Sequence, residues 1–279
     1  MHPLLQEIEQ GASLPPAEEW SQRFGGEFTD LPERMAATPQ DPEWHGEGDV
    51  LVHTNWVLRE LEKLISPGGE ASGLAPRKKV ALALAAFVHD VGKIWTTREQ
   101  ERAGRIRIVA TGHPARGRSW FAQRHHSLGL DPWMREAVFG LIGHHHDPRQ
   151  WVRKGADWRA YRKLARHCPL DLVTWLELAD VRGREAPDLQ DEEVTLALFR
   201  DQVEDFGLWG RDDPWEDWRE ELDSLSREES PRWRLLLAEE AIRQAELGTI
   251  FSPQEALAKS YSWKEGLEGE VILLCGLSG

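Results

Sequence analysis

Histidine and aspartate recur along this chain in an order that suits metal binding: His53, the adjacent pair His89 and Asp90 in AAFVHDVGK, His113, the run His144-His145-His146, and Asp180. Neutral imidazoles and carboxylates are ligands that borderline and harder divalent cations accept, and separate helices can bring such groups to one point. The chemistry implied is hydrolysis, because a held divalent cation acidifies water and offsets charge on a substrate oxygen. His89 and Asp90 are neighbours, so both face one point only where a helix ends or bends, as the following Val91-Gly92 permits. The pair alone reads equally well as a core histidine beside a helix-terminal aspartate. His53, His113, His145 and Asp180 at their spacings favour the metal.

The elements that must position these residues are mainly helices. Leu51, Val52, Val57, Leu58, Leu61, Leu64 and Ile65 form an apolar stripe over 50–65, ended by Ser66-Pro67-Gly68-Gly69, which puts His53 in the first turns of a helix. Residues 77–88 are apolar almost all round, the mark of a buried helix that delivers His89 and Asp90 to the interior. TTREQERAGRIRIVAT reads as a small β-hairpin. Further helices are expected from His113-Pro114 to about 126, over 133–145 behind Asp131-Pro132, and over 161–166 and 170–180. Residues 1–48, rich in Pro, Gly and Glu with a helix around 16–24, read as an N-terminal collar. After Glu185-Ala186-Pro187 the composition turns acidic and Trp-rich, with amphipathic segments near 192–206 and 231–247.

The 279 residues leave room for one main core plus an appended segment. A net charge of −14 argues against binding nucleic acid by bulk charge, so any such footprint is local. Arg77-Lys78-Lys79 and the arginines from Arg102 to Arg107 are the local patches, with a solvated face as their alternative reading. Cys168 and Cys275, far apart, offer no disulfide framework and fit a reducing, cytoplasmic setting. No apolar run approaches the roughly 20 residues that cross a bilayer, so no membrane partner is expected. The 14 tryptophans are scattered, which suits core and groove fillers.

The H…HD…D order resembles the HD phosphohydrolases, over about residues 45–186. HDVGK keeps the family's Gly and Lys, and LADVRGRE is similar to the closing motif of the HD domain of bacterial tRNA nucleotidyltransferases. That domain stays in step from Gly112-His113 through Met134-Arg135-Glu136 to His145, which singles out the middle member of the triple histidine. The resemblance implies a helical HD bundle over 49–186 in which His53, His89, Asp90 and Asp180 hold one metal, Asp90 bridges, and His113 and His145 complete a second site. It implies a phosphate contact for Lys93. His144 and His146 stay open, as phosphate ligands or a proton donor at a helix end. Arg182 and Arg184 are either phosphate clamps or a salt-bridged helix end. Asp49 reads as a helix N-cap rather than an extra ligand, and His45 and Glu47 line the mouth of the site. A histidine-rich set favours Ni, Co, Mn, Cu or Zn over Mg, and two ions are expected.

Glu270 to Cys275 form a short apolar, β-branched run followed by Gly276-Leu277-Ser278-Gly279, the way a phosphate-binding loop begins, although no Gly-Lys-Ser follows. An HD domain, a helical linker over 187–268 and a truncated loop over 269–279 together resemble the bacterial HD domain and polynucleotide kinase fusions of RNA end healing. That likeness implies a phosphoesterase acting on 2′,3′-cyclic, 2′- or 3′-phosphate ends of RNA, with DNA 3′-phosphate as a further substrate. It also implies a following kinase domain and a separate ligase as partners. Two alternatives remain: an HD nucleotidase or cyclic-nucleotide phosphodiesterase acting on small nucleotides, and a nucleotide-sensing module without catalysis.

Overall fold

A computed structural model describes residues 1–102 and 104–264; the expected strand and glycine turn over 269–279 lie outside the described residues. The described chain is mainly α, with one two-stranded hairpin, as the sequence patterns predict. It forms two compact units, Met1–Asp157 with Leu164–Asp212, and Trp158–Lys163 with the described residues from Asp213 on.

In the first unit, α4 (Val50–Ile65), α5 (Pro76–Val88), α8 (Pro132–His144) and α11 (Leu170–Arg182) pack on one another. Every residue of α5 from Val80 to Val88 is buried, which leaves this helix no solvent face and puts its C-terminal end inside the protein. Full burial of a side chain such as Leu82, Leu84 or Phe87 is worth about 1.5–3 kcal/mol each. Alanines at 81, 83, 85 and 86 let the neighbouring helices approach closely. Helix α11 is buried over Leu170–Val181, so Glu177 and Asp180 enter an apolar interior. Asp49 caps α4, its Oδ1 accepting from the backbone N–H groups of Leu51 and Val52.

Residues 1–48 contain three helices, α1 (Pro3–Glu9), α2 (Ala17–Phe24) and α3 (Leu31–Ala36). Leu4, Leu5, Ile8 and Trp20 are buried, α1 packs on α5, and Trp20 stacks on Phe87 with ring centroids 5.3 Å apart. This segment therefore adds core to the first unit. After the short helix α6 (Lys93–Thr96), strands β1 (Arg98–Arg102) and β2 (Arg105–Val109) pair antiparallel, Arg98 opposite Val109. Helix α7 (His113–Ala122) then packs on α8, and α9 (Asp147–Lys154), which the sequence reading did not anticipate, packs on α12 (Leu189–Asp205).

Two glycines set close approaches that the site needs. A Cβ on Gly92 would lie 2.0 Å from the carbonyl oxygen of His113, so only glycine lets α7 reach the turn after α5. A Cβ on Gly183 would lie 2.7 Å from the backbone nitrogen of Val57, so glycine brings the end of α11 against α4. The helix ends at Val88, before Gly92, as expected; Gly92 itself has ordinary helical angles, φ −61° and ψ −25°, so what requires glycine there is closeness.

The second unit has its own core of Trp215, Trp218, Leu222, Trp233, Leu237, Ala241, Ile242 and Ile250. It comprises part of α10 (Trp158–Ala165), then α13 (Glu216–Leu225), α14 (Pro231–Glu246) and α15 (Pro253–Lys264). Arg162 reinforces it with two hydrogen bonds to Asp217, at 2.7 and 2.6 Å.

Candidate metal centre

Helix α5 ends at Val88, and the turn that follows lets His89 and Asp90 face the same interior point. On one side of Asp90, its Oδ2 lies 3.5 Å from His53 Nε2 and 3.4 Å from His89 Nε2. Asp180 Oδ1 is 2.9 Å from His53 Nε2 and 4.0 Å from His89 Nε2. On the other side, Asp90 Oδ1 lies 3.1 Å from His113 Nε2 and 3.8 Å from His145 Nε2, and these two nitrogens are 3.2 Å apart. The carboxylate thus stands between two sets of imidazoles. All six residues are buried.

The outer ring nitrogens fix the tautomers. His89 Nδ1 donates to Ala86 O at 2.8 Å, His113 Nδ1 to Ala110 O at 2.8 Å, and His145 Nδ1 to Ile142 O at 2.9 Å. His53 Nδ1 lies 3.1 Å from Gly183 O and 2.9 Å from Glu47 Oε1. A neutral imidazole that donates through Nδ1 carries a lone pair on Nε2, so the inward atoms of His89, His113 and His145 are acceptors. His53 Nε2, His89 Nε2 and Asp90 Oδ1 are buried without a hydrogen bond. Carboxylate oxygens and imidazole nitrogens converging on one point fit a cation, which would displace the proton that His53 holds in its absence. The residues present therefore suit divalent metals, and neutral nitrogens with carboxylates suit a transition ion.

Charge on these groups follows their surroundings. Burial pushes His145 down to about 3, with His113 and His89 adding to the effect, and pushes His146 well below its ordinary value. Burial alone would lower His53 too, but Asp180, Glu47 and Asp90 outweigh it and raise this imidazole to about 9. Asp90 is held well below the carboxylate range: burial opposes this, and Lys93 and His89 overcome it. Asp180 is lowered likewise, burial being overcome by His53.

His45 and Glu47 do stand at this site, with His45 Nδ1 2.8 Å from Glu47 Oε1. Burial lowers His45 to about 4. Glu47, its side chain fully buried, supports His53 from behind.

The triple histidine divides three ways. His145 joins His113; His144 turns away, its Nδ1 2.7 Å from Asp147 Oδ2. His146 Nε2 lies 3.3 Å from His113 Nε2, close enough for His113, His145 and His146 to share a cation. Arg149 decides against that. Its Nη2 donates to His146 Nδ1 at 3.1 Å, and because a guanidinium only donates, His146 must accept there. A neutral His146 then keeps its proton on Nε2, facing inward as a donor.

Arg149 and the carboxylates around it escaped the sequence reading. Arg149 is buried, hydrogen-bonded to Glu177 and, at 3.1 Å, to Glu192 Oε2. Asp147-Pro148 repeats the helix-start signal of Asp131-Pro132 and could have revealed α9; nothing local marks Glu177, a mid-helix glutamate like many others.

A cavity of about 950 Å³ opens beside the cluster, lined by His45, Lys93, His113, His146, Asp180 and Arg184 among others, with the hairpin arginines 102, 105 and 107 along it. Lys93 Nζ reaches Asp90 Oδ2 at 2.7 Å and Gln40 Oε1 at 2.6 Å. Arg107 is neutralised by Asp41, at 2.7 and 2.8 Å, and by Glu43. Of the two arginines after Asp180, Arg184 lines the cavity, its side chain 9% exposed; its Nε and Nη2 make no hydrogen bond, and Nη2 lies 3.7 Å from Asp188 Oδ1. Arg182 does not line it; its partners are Glu70 at 2.8 Å and Glu193 at 3.0 Å, the salt-bridged reading.

Residues 53–184 match the HD domain family. The matched stretch begins at the first imidazole of the cluster, ends at the cavity arginine, and contains all six converging residues. No curated protein and no solved structure matches the chain. Over this stretch, a little under half of the chain, the protein is similar to the HD domain family, a family of metal-dependent phosphohydrolases. Among the described residues no helix is long and apolar enough to cross a membrane.

Proposed function

We propose that the HD domain of this chain is a two-metal phosphoesterase that hydrolyses 2′,3′-cyclic, 2′- or 3′-phosphate ends of RNA. The observation that carries the reading is the Asp90 carboxylate, one oxygen toward His53 and His89 and the other toward His113 and His145, with unbonded lone pairs on both sides. His53, His89, Asp90 and Asp180 would hold one divalent cation, and His113, His145 and the other Asp90 oxygen a second. Bound there, the cations would lower the pKa of a coordinated water and offset negative charge on phosphoryl oxygens.

The remaining steps belong to the protein. Arg184 lines the cavity with a guanidinium that makes no hydrogen bond through Nε or Nη2 and a 3.7 Å ion pair with Asp188, and a guanidinium matches phosphate oxygens in a fixed fork. His146 presents an N–H to the leaving oxygen or to a phosphoryl oxygen, its tautomer set by Arg149. Lys93 holds Asp90 in its charged form. The cavity is large enough for a nucleotide, and its hairpin arginines 102 and 105 suit a phosphate-bearing chain.

The end-healing context rests on VILLCGLSG at 271–279, similar to the start of a kinase phosphate-binding loop. With it come the proposals of a kinase domain and a ligase as partners. The test compares hydrolysis by metal-loaded protein of an RNA 2′,3′-cyclic phosphate end, nucleoside monophosphates and bis-p-nitrophenyl phosphate, with Asp90→Ala as control. Preference for the RNA end is expected. Preference for free nucleotides would select the small-nucleotide reading, and equal inactivity of both proteins across several divalent ions would overturn the enzyme reading.

A further inference from the structure

A second cavity, of about 500 Å³, is lined by Arg34, Trp95, Arg116, Ser119, Trp120 and Arg124 among others. Its walls come partly from α6 and α7, the two elements that also carry Lys93 and His113 into the metal-site cavity. Arg34 and Arg116 lie over the Trp95 ring, 4.6 and 5.4 Å from its centroid, and Arg124 lies 5.0 Å from that of Trp120. The two indoles are 6.1 Å apart and inclined at 34°.

Arg34 is paired with Asp30 at 3.5 Å and Arg124 with Glu27 at 2.5 Å. Arg116 is exposed and, among the described residues, has no carboxylate partner. In a chain of net charge −14, a cavity with three guanidiniums and two carboxylates runs against the overall sign. Structural cation–π pairs explain Arg34 and Arg124, which also have ion-pair partners. They do not explain an uncompensated arginine beside a half-buried indole at an open cavity. Guanidinium takes phosphate, indole takes a base face, and the two side by side are how single strands are held without sequence preference.

We propose that this cavity binds a nucleotide of single-stranded RNA upstream of the end that enters the metal-site cavity. The inference rests on the RNA-end reading for what the bound strand is doing there, while the binding itself needs no hydrolysis. Arg116 turns from the Trp95 ring to a backbone phosphate, and the part of the ring it uncovers takes a base.

The test is fluorescence anisotropy with a labelled oligoribonucleotide of about ten nucleotides. The RNA ends in a 3′-hydroxyl and the full chain is stripped of metal, so nothing can be cleaved. Arg116→Ala is expected to weaken binding about fivefold or more and to lower the salt slope by about 0.7. Trp95→Leu is expected to weaken it about fivefold or more. Arg116→Ala, an exposed position, should keep the wild-type melting temperature. Equal affinity of Arg116→Ala and wild type, or no binding by wild type, would overturn the proposal. Arg116-dependent binding without hydrolysis of any RNA end would leave this site standing and remove the phosphoesterase reading instead.

Discussion

At the scale of single residues, Asp90 makes the sharpest prediction. Asp90→Asn keeps the shape but replaces one acceptor with a donor and removes the charge facing both imidazole sets, so kcat/KM should fall about 100-fold or more, with metal content falling in parallel. Arg184→Ala should act differently, removing a charge-assisted phosphate contact of about 1.5–3 kcal/mol. That corresponds to a rise in KM of about tenfold or more with metal content unchanged. His53 sets the pH dependence. Its proton, held up to about 9 in the metal-free protein, must leave when a metal takes Nε2. Below that value binding releases a proton, so apparent affinity should climb as pH rises toward about 9 and then level off. Calorimetry in buffers of different ionisation enthalpy reads the released proton; a pH-independent affinity would contradict the assignment.

At the scale of elements, the helix ends carry the site, and their glycines are structural requirements. Gly92→Ala would press a methyl group against the His113 carbonyl. Overpacking of this kind costs about 1–3 kcal/mol, and a shift of α7 would withdraw His113 from Asp90. A lower melting temperature with selective loss of one bound metal is expected from thermal denaturation and metal analysis. The elements bearing His53, His89, Asp90, His113, His145 and Asp180 were legible because apolar periodicity, an all-apolar helix and Asp-Pro caps are local signals. Gly92 read as a helix breaker because spacing reveals that a glycine is needed, but not that another backbone passes 2.0 Å from where its Cβ would be. Arg149 and Glu177 were illegible for a similar reason: their meaning comes from α9, α11 and α12 meeting, and none of the three shows it alone.

At the scale of the whole molecule, the first 48 residues read as a collar from their Pro, Gly and Glu content, yet Leu4, Leu5 and Trp20 are buried and add to the core that holds α5 in place. The Trp-rich stretch looked like an acidic extension; from Asp213 its tryptophans build a core of their own, which scattered spacing could not reveal. Metal should stabilise the folded chain, because it binds the buried nitrogens and carboxylates that only the folded chain brings together. At a free metal concentration about 100 times Kd the gain is about 2.7 kcal/mol, readable as a melting temperature that falls on chelation. The central claim, that one carboxylate joins two metal sites, is tested most directly by anomalous diffraction from crystals grown with Mn²⁺. Two peaks are expected, one among His53, His89, Asp90 and Asp180 and one among Asp90, His113 and His145. A map with one peak or none within this cluster would contradict the shared carboxylate.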